Sequence, residues 1–146
     1  EVCNFLEWRS EGHTVDRVRS FVEAKNNSDV DVLFGIFLES EHIGNIKLGD
    51  IDQTHRHAHV GFLVGEKTHW GRGFASSAIS IATRYAFEHL QLNKLWAGAY
   101  GSNVGSRRAL LKAGWTQAGV LRRHVRLDEA WEDKYLFEVL NPSLTI

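Results

Sequence analysis

With 146 residues, 43% of them hydrophobic and 24% charged, the chain has the length for one compact domain and too little for two. The 17 Lys and Arg against 18 Asp and Glu leave a formal net charge of -1, which removes the electrostatic footprint of a nucleic-acid or anionic-membrane binder. A lone cysteine, Cys3, excludes an internal disulfide framework and a Cys-based zinc site, and no apolar run approaches the ~20 residues that span a bilayer. The lone cysteine makes a reducing compartment, the cytoplasm, the expected setting, and the start, Glu1 to Trp8, lacks the basic-then-apolar layout of a signal peptide, so a soluble protein is expected.

Thr14 is suited to cap a helix running to about Lys25, because Val15, Val18, Phe21 and Val22 recur at helical spacing and Asp16 favours the first turn. Two β-rich runs follow, Val32 to Leu38 and Ile43 to Leu48, with a turn expected over Gly49 to Thr54. His57 to Gly65 alternates as a strand, with Ala58, Val60, Phe62 and Val64 on one face and His57, His59, Gly61 and Leu63 on the other. A helix is predicted from about Gly73 to Leu90, then a strand over Leu95 to Tyr100, a helix over Asn103 to Ala113 and a stop at Gly114. Val120 to Leu127 and Tyr135 to Leu140, around a loop from Asp128 to Asp133, make a terminal hairpin. The fold class is therefore α/β (α+β), with one mixed, mostly antiparallel sheet flanked by helices.

Gly71 and Gly73 lie where a strand gives way to a long helix. There the free N–H groups of the first turn and the positive end of the helix dipole favour a phosphate, and glycine lets the backbone approach it. A Gly-x-Gly alone is also compatible with a plain loop at a helix start.

Trp70-Gly71-Arg72-Gly73-Phe74-Ala75 resembles the W-G-K/R-G-Y/F-A loop of the GNAT acetyltransferases, in the branch that includes ribosomal-protein N-terminal acetyltransferases. Leu92-Asn93-Lys94-Leu95, Asn103-x-x-Ser106 and Leu110-x-Lys112-x-Gly114-Trp115 continue the similarity downstream, and His42 to Ile46 and Ala58 to Phe62 continue it upstream. The resemblance covers roughly residues 30 to 140. It departs from the family at Thr68, where Gln or Arg is common, and ahead of Glu1, where family domains usually carry a strand and much of a helix. A single domain over 1–146, N-terminally incomplete and without its first strand, is what the resemblance implies.

It further implies acetyl-CoA as cosubstrate, a primary amine as acceptor and no metal. Phe62, Leu63 and Val64 would meet the pantetheine arm, and His69, Trp70, Gly71, Arg72, Gly73, Phe74 and Ala75 the pyrophosphate. Asn103 would cap its helix and touch the arm, while Ser106 would contact the sulfur. His59 stands where many family members carry Glu and is the expected base, since neutral imidazole accepts a proton near neutral pH. Trp8, Arg9, Tyr100 and Asp133 are candidates for the acceptor cleft, and Asp133 and Glu138 are alternative bases by position.

Two readings compete with catalysis: a non-catalytic acyl-CoA sensor, and a metal site on His55, His57 and His59, spaced at period two. No carboxylate or Cys is placed by sequence to complete such a site. The acceptor itself, a protein N-terminus or a small-molecule or sugar amine, is not named by any motif, and a homodimer stays open.

Overall fold

The computed structural model describes residue 12 and residues 14–144. Its elements run α1 (Val15–Asn26), β1 (Val32–Leu38), β2 (Glu41–Asp52), β3 (His57–Val64), a 3-10 turn (Lys67–His69), α2 (Phe74–Glu88), β4 (Lys94–Tyr100), α3 (Val104–Lys112), β5 (Thr116–Leu127) and β6 (Ala130–Leu140). Among the described residues six strands form one sheet in the order β1-β2-β3-β4-β6-β5. Only β3 and β4 run parallel, as a strand–helix–strand crossover requires, and the other neighbours are antiparallel.

One face of this sheet carries the core. Ile46, Leu48, Ala58, Val60, Leu95, Ala97 and Phe137 pack with Ile79, Ala82 and Ala86 of α2 and with Leu110 of α3. The alanines of α2 let its backbone sit close on the strands, and side chains as buried as Leu48 and Leu95 contribute about 1.5–3 kcal/mol each. Trp115 Nε1 donates to Thr83 Oγ1 at 3.2 Å, which ties the start of the last hairpin to α2.

Two expected boundaries are corrected. Gly49 to Asp52 belongs to β2 and the turn is confined to 53–56. A register shift between Gly49 and Asp52 is absorbed at Asp50, whose φ is 52°, and this returns Ile51 to the core at 6% exposure. The terminal hairpin likewise has a two-residue connection, Asp128 and Glu129, because Glu132 and Asp133 are strand residues whose carboxylates bind neighbouring backbone N–H groups.

Thr14 caps α1 by accepting from Arg17 N at 3.3 Å, and the helix is then held to the sheet by Asp31. Asp31 Oδ2 accepts from Lys25 Nζ at 2.9 Å and Ser28 Oγ at 2.8 Å, and Oδ1 stands 3.7 Å from Lys47 Nζ. Burial pushes the carboxyl up, but the hydrogen bonds from Lys25 and Ser28 and the charges of the two lysines outweigh it and hold the group below its ordinary value. A depressed folded-state pKa contributes stability above the unfolded value of about 3.9, which is lost as pH falls through the folded value. Asp31→Asn is therefore expected to cost about 1–3 kcal/mol at pH 7, with the gap from wild type narrowing below about pH 4. Denaturant unfolding at pH 7 and pH 3 checks this; an undiminished gap at pH 3 contradicts it.

Candidate functional site

The sheet opens where the parallel pair β3–β4 ends. β3 meets β4 over His57–His59 and Lys94–Trp96 alone, while β3 stays on β2 as far as Val64 and β4 stays on β6 as far as Tyr100. Past His59 the two strands diverge, so the β4-facing backbone edge of Val60 to Val64 has no ladder partner. A cleft of about 570 Å³ fills the gap, floored by Phe62, Leu63 and Val64 and walled by α2 on one side and α3 on the other.

The α2 wall is the glycine loop. Gly71 and Gly73 have φ of 71° and 89°, a left-handed region that L side chains rarely adopt, and Gly73 is the N-cap of α2 with no side-chain capping hydrogen bond. The first-turn amides thus face the cleft unmasked by a cap. Trp70 Nε1 donates to Val64 O at 2.8 Å, tying the loop to the end of β3. His69 is 8% exposed, its ring meets Phe74 edge-on with centroids 5.7 Å apart, and its buried Nδ1 has no hydrogen-bond partner among the described residues.

The α3 wall begins with Asn103, whose Oδ1 accepts from Ser106 N at 3.1 Å and caps the helix. Asn103 therefore does the capping, and the Ser106 hydroxyl makes no hydrogen bond among the described residues. Gly105, Arg108, Ala109 and Lys112 follow on one stripe of α3 and also line the cleft. A methyl placed on Gly73 would stand 3.3 Å from Lys112 Nζ and 3.8 Å from Ser76 Oγ, so the lysine ammonium lies over the loop. Arg108 and Lys112 were not singled out as site residues by sequence. The available signal was the stripe itself, at positions 105, 108, 109 and 112, which carries two cations where a packing helix would carry apolar side chains.

The donor set suits a pyrophosphate carried on a long, partly apolar arm. It offers uncapped helix amides, glycines that admit close approach, a lysine across the gap and an apolar floor. Phe62, Leu63, Val64, His69, Trp70, Gly71, Gly73, Phe74, Ala75, Asn103 and Ser106 all line the cleft. Arg72 does not: its guanidinium lies over the Phe74 ring, 5.1 Å from the centroid.

The other expected residues lie elsewhere. His59 is on the opposite face from Val60, half-buried, with its ring 4.6 Å from that of Trp96. Tyr100 is buried at the end of β4, and Asp133 Oδ1 accepts from Arg123 N at 2.8 Å. Glu138 pairs with Lys94. Trp8 and Arg9 lie outside the described residues. His55 is in the turn and stacks on His57 with centroids 6.3 Å apart, while His59 turns to Trp96, so the three rings do not converge. Among the described residues no group of three or more His, Cys, Asp or Glu is arranged to hold a metal ion, and no helix is long and apolar enough to cross a membrane.

Comparison with known proteins agrees with this geometry. Residues 1–116 match the acetyltransferase (GNAT) domain model. The probable N-acetyltransferase YjcK of Bacillus subtilis (strain 168) is 35% identical over 118 residues, 79% of this chain and 65% of YjcK, so the chain spans less than two thirds of that relative. Mycobacterium smegmatis RimJ, solved in complex with CoA-disulfide, is 25% identical with a TM-score of 0.82, covering 97% of this chain and 68% of RimJ. The spermidine N-acetyltransferase of Vibrio cholerae, solved with CoA and spermine, shares the fold at 19% identity with a TM-score of 0.84, covering 96% and 82%. On the sequence match and on the cleft between its diverging strands, the chain belongs to the GNAT acetyltransferase family.

Proposed function

We propose that this chain is an N-acetyltransferase that moves an acetyl group from acetyl-CoA to a primary amine within a ternary complex. The observation that carries the reading is the cleft at the β3–β4 divergence, with uncapped α2 amides at one end and the Asn103–Ser106 turn along its other wall. Acetyl-CoA, when bound, supplies a thioester carbonyl open to attack and a thiolate that leaves. The loop His69 to Ala75 and Lys112 would hold the pyrophosphate, and the unladdered edge of Phe62 to Val64 would orient the arm. Ser106 would donate its hydroxyl proton in a hydrogen bond at the thiol end of the cleft. His59, on the opposite face beside Trp96, would accept the proton of an amine approaching from that side, directly or through water.

The near-neutral charge supports a small or local acceptor, such as a protein N-terminus or a small-molecule or sugar amine, over a nucleic acid or a membrane surface. A lone cysteine supports a reducing, cytoplasmic setting. An α-amine, with an ordinary pKa of about 7.7–8.0, needs little help to be neutral.

Release of free thiol from acetyl-CoA, measured across a panel of peptide, polyamine and amino-sugar acceptors, tests the proposal. At least one acceptor is expected to raise release about tenfold or more over the amine-free rate, with His59→Ala lowering that release. Tight acetyl-CoA binding without release to any amine would make the domain a sensor instead, and no binding would remove the cleft from consideration.

A further inference from the structure

The corner joining β4 to α3 is held by two side chains that do not themselves line the cleft. Gly101, Ser102 and Asn103 must carry the chain out of the sheet and into the turn that presents Asn103 and Ser106. Asn103 N donates to Tyr100 O at 3.0 Å and Gly101 N to Asp133 O at 2.9 Å. Ser102 gives both its N–H and its hydroxyl to one oxygen, Glu132 Oε2, at 3.0 and 2.7 Å. The short O–H···O⁻ contact is charge-assisted and directional. The Gly101 carbonyl accepts from Arg107 Nη1 at 3.1 Å, and the Arg107 guanidinium lies 3.8 Å over the Tyr135 ring.

A packing role alone does not account for this arrangement. Arg107 Nε is buried and has no hydrogen-bond partner among the described residues, so a charged fork is kept in a poorly satisfied place where an apolar side chain would fill the same volume. What the fork gains there is the Gly101 carbonyl and a flat seat on Tyr135. Glu132 reaches the corner from β6, and Arg107 from one turn inside α3. Together they fix the chain on both sides of the residues that meet the cleft, where a shift of about 1 Å is enough to slow a reaction about 100-fold.

We propose that Glu132 and Arg107 are positioning residues, acting through Ser102 and Gly101 to hold Asn103 and Ser106 against the thiol end of the cleft. This rests on the transferase reading, but the clamp has its own signature in the free protein. Glu132→Ala is expected to speed amide hydrogen exchange at Ser102 about tenfold or more without acetyl-CoA, to lower kcat about tenfold and to leave the acetyl-CoA KM within about threefold. Glu132→Gln keeps an oxygen that accepts from Ser102 and is expected to stay within about threefold of wild type in both readouts. Arg107→Lys keeps the charge but not the planar stack and is expected to follow the Glu132→Ala pattern, beyond the roughly threefold margin that counts as unchanged.

Wild-type exchange and kcat in Glu132→Ala, or no rescue by Glu132→Gln, would overturn the clamp. Should Glu132→Ala not fold, Ser102→Ala removes only the hydroxyl contact, and unchanged exchange at the corner amides would overturn it as well. Faster Ser102 exchange in a protein with no transferase activity would uphold the clamp while the transferase reading falls.

Discussion

Replacing Gly71 and Gly73 together by valine is expected to weaken CoA binding at least tenfold, about 1.4 kcal/mol, in protein that remains folded. Both glycines hold left-handed φ, and the Gly73 Cβ position lies 3.3 Å from Lys112 Nζ. A branched side chain at Gly73 therefore moves the lysine as well as blocking the backbone. The Gly71 Cβ position meets nothing within 4 Å, so a side chain there enters the space an approaching anion would need. Strain alone would also follow from the substitution, and Gly114→Val separates the two effects. Gly114 has φ of 86° with nothing within 4 Å of its Cβ position, but it lies beyond α3 and outside the cleft. Calorimetric titration with CoA is expected to show the loss in the double variant and none in Gly114→Val; equal losses would assign the effect to strain.

Ser106→Ala is expected to lower turnover by ~10 to 100-fold while leaving CoA affinity nearly unchanged. Asn103 caps α3, so removing the Ser106 hydroxyl takes no hydrogen bond from the helix and stability should stay near wild type. An interaction that strengthens only as negative charge gathers on sulfur appears in kcat and not in binding. The companion substitution Asn103→Ala removes the cap, with an expected cost of about 1 kcal/mol in stability. Steady-state kinetics beside thermal unfolding distinguishes the two variants. Normal turnover in Ser106→Ala would leave backbone groups and ordered water to serve the departing sulfur.

The glycine loop was legible from sequence because its physics is local: two glycines, a strand before them and an amphipathic helix after them. The alternation of Ala58, Val60 and Phe62 likewise identified the core face of β3. Local signals misled at Gly49-Asp50, which reads as a turn although a bulge at Asp50 carries the strand on to Asp52 and buries Ile51. Glu132 and Asp133 read as loop for the same reason, since their partners, Ser102 and Arg123, are 30 and 10 residues away. Arg108 and Lys112 join the site only because α3 folds back beside α2, a tertiary fact that the spacing of their own helix hints at but does not determine. His59 shows the converse: strand alternation places it opposite Val60, but its packing against Trp96, with ring centroids 4.6 Å apart, is a tertiary contact that the alternation does not contain.

The central claim, that the loop His69 to Ala75 and the start of α3 together receive acetyl-CoA, is tested most directly by following backbone amide resonances of the labelled chain during titration with CoA. The amides of Gly71, Arg72, Gly73 and Phe74 are expected to shift most, because they would take on the anion, with Asn103 to Ser106 next and Phe34 to Phe37 of β1 unmoved. Saturable binding whose shifts fall on β1, or an unperturbed glycine loop at saturating CoA, would contradict the account.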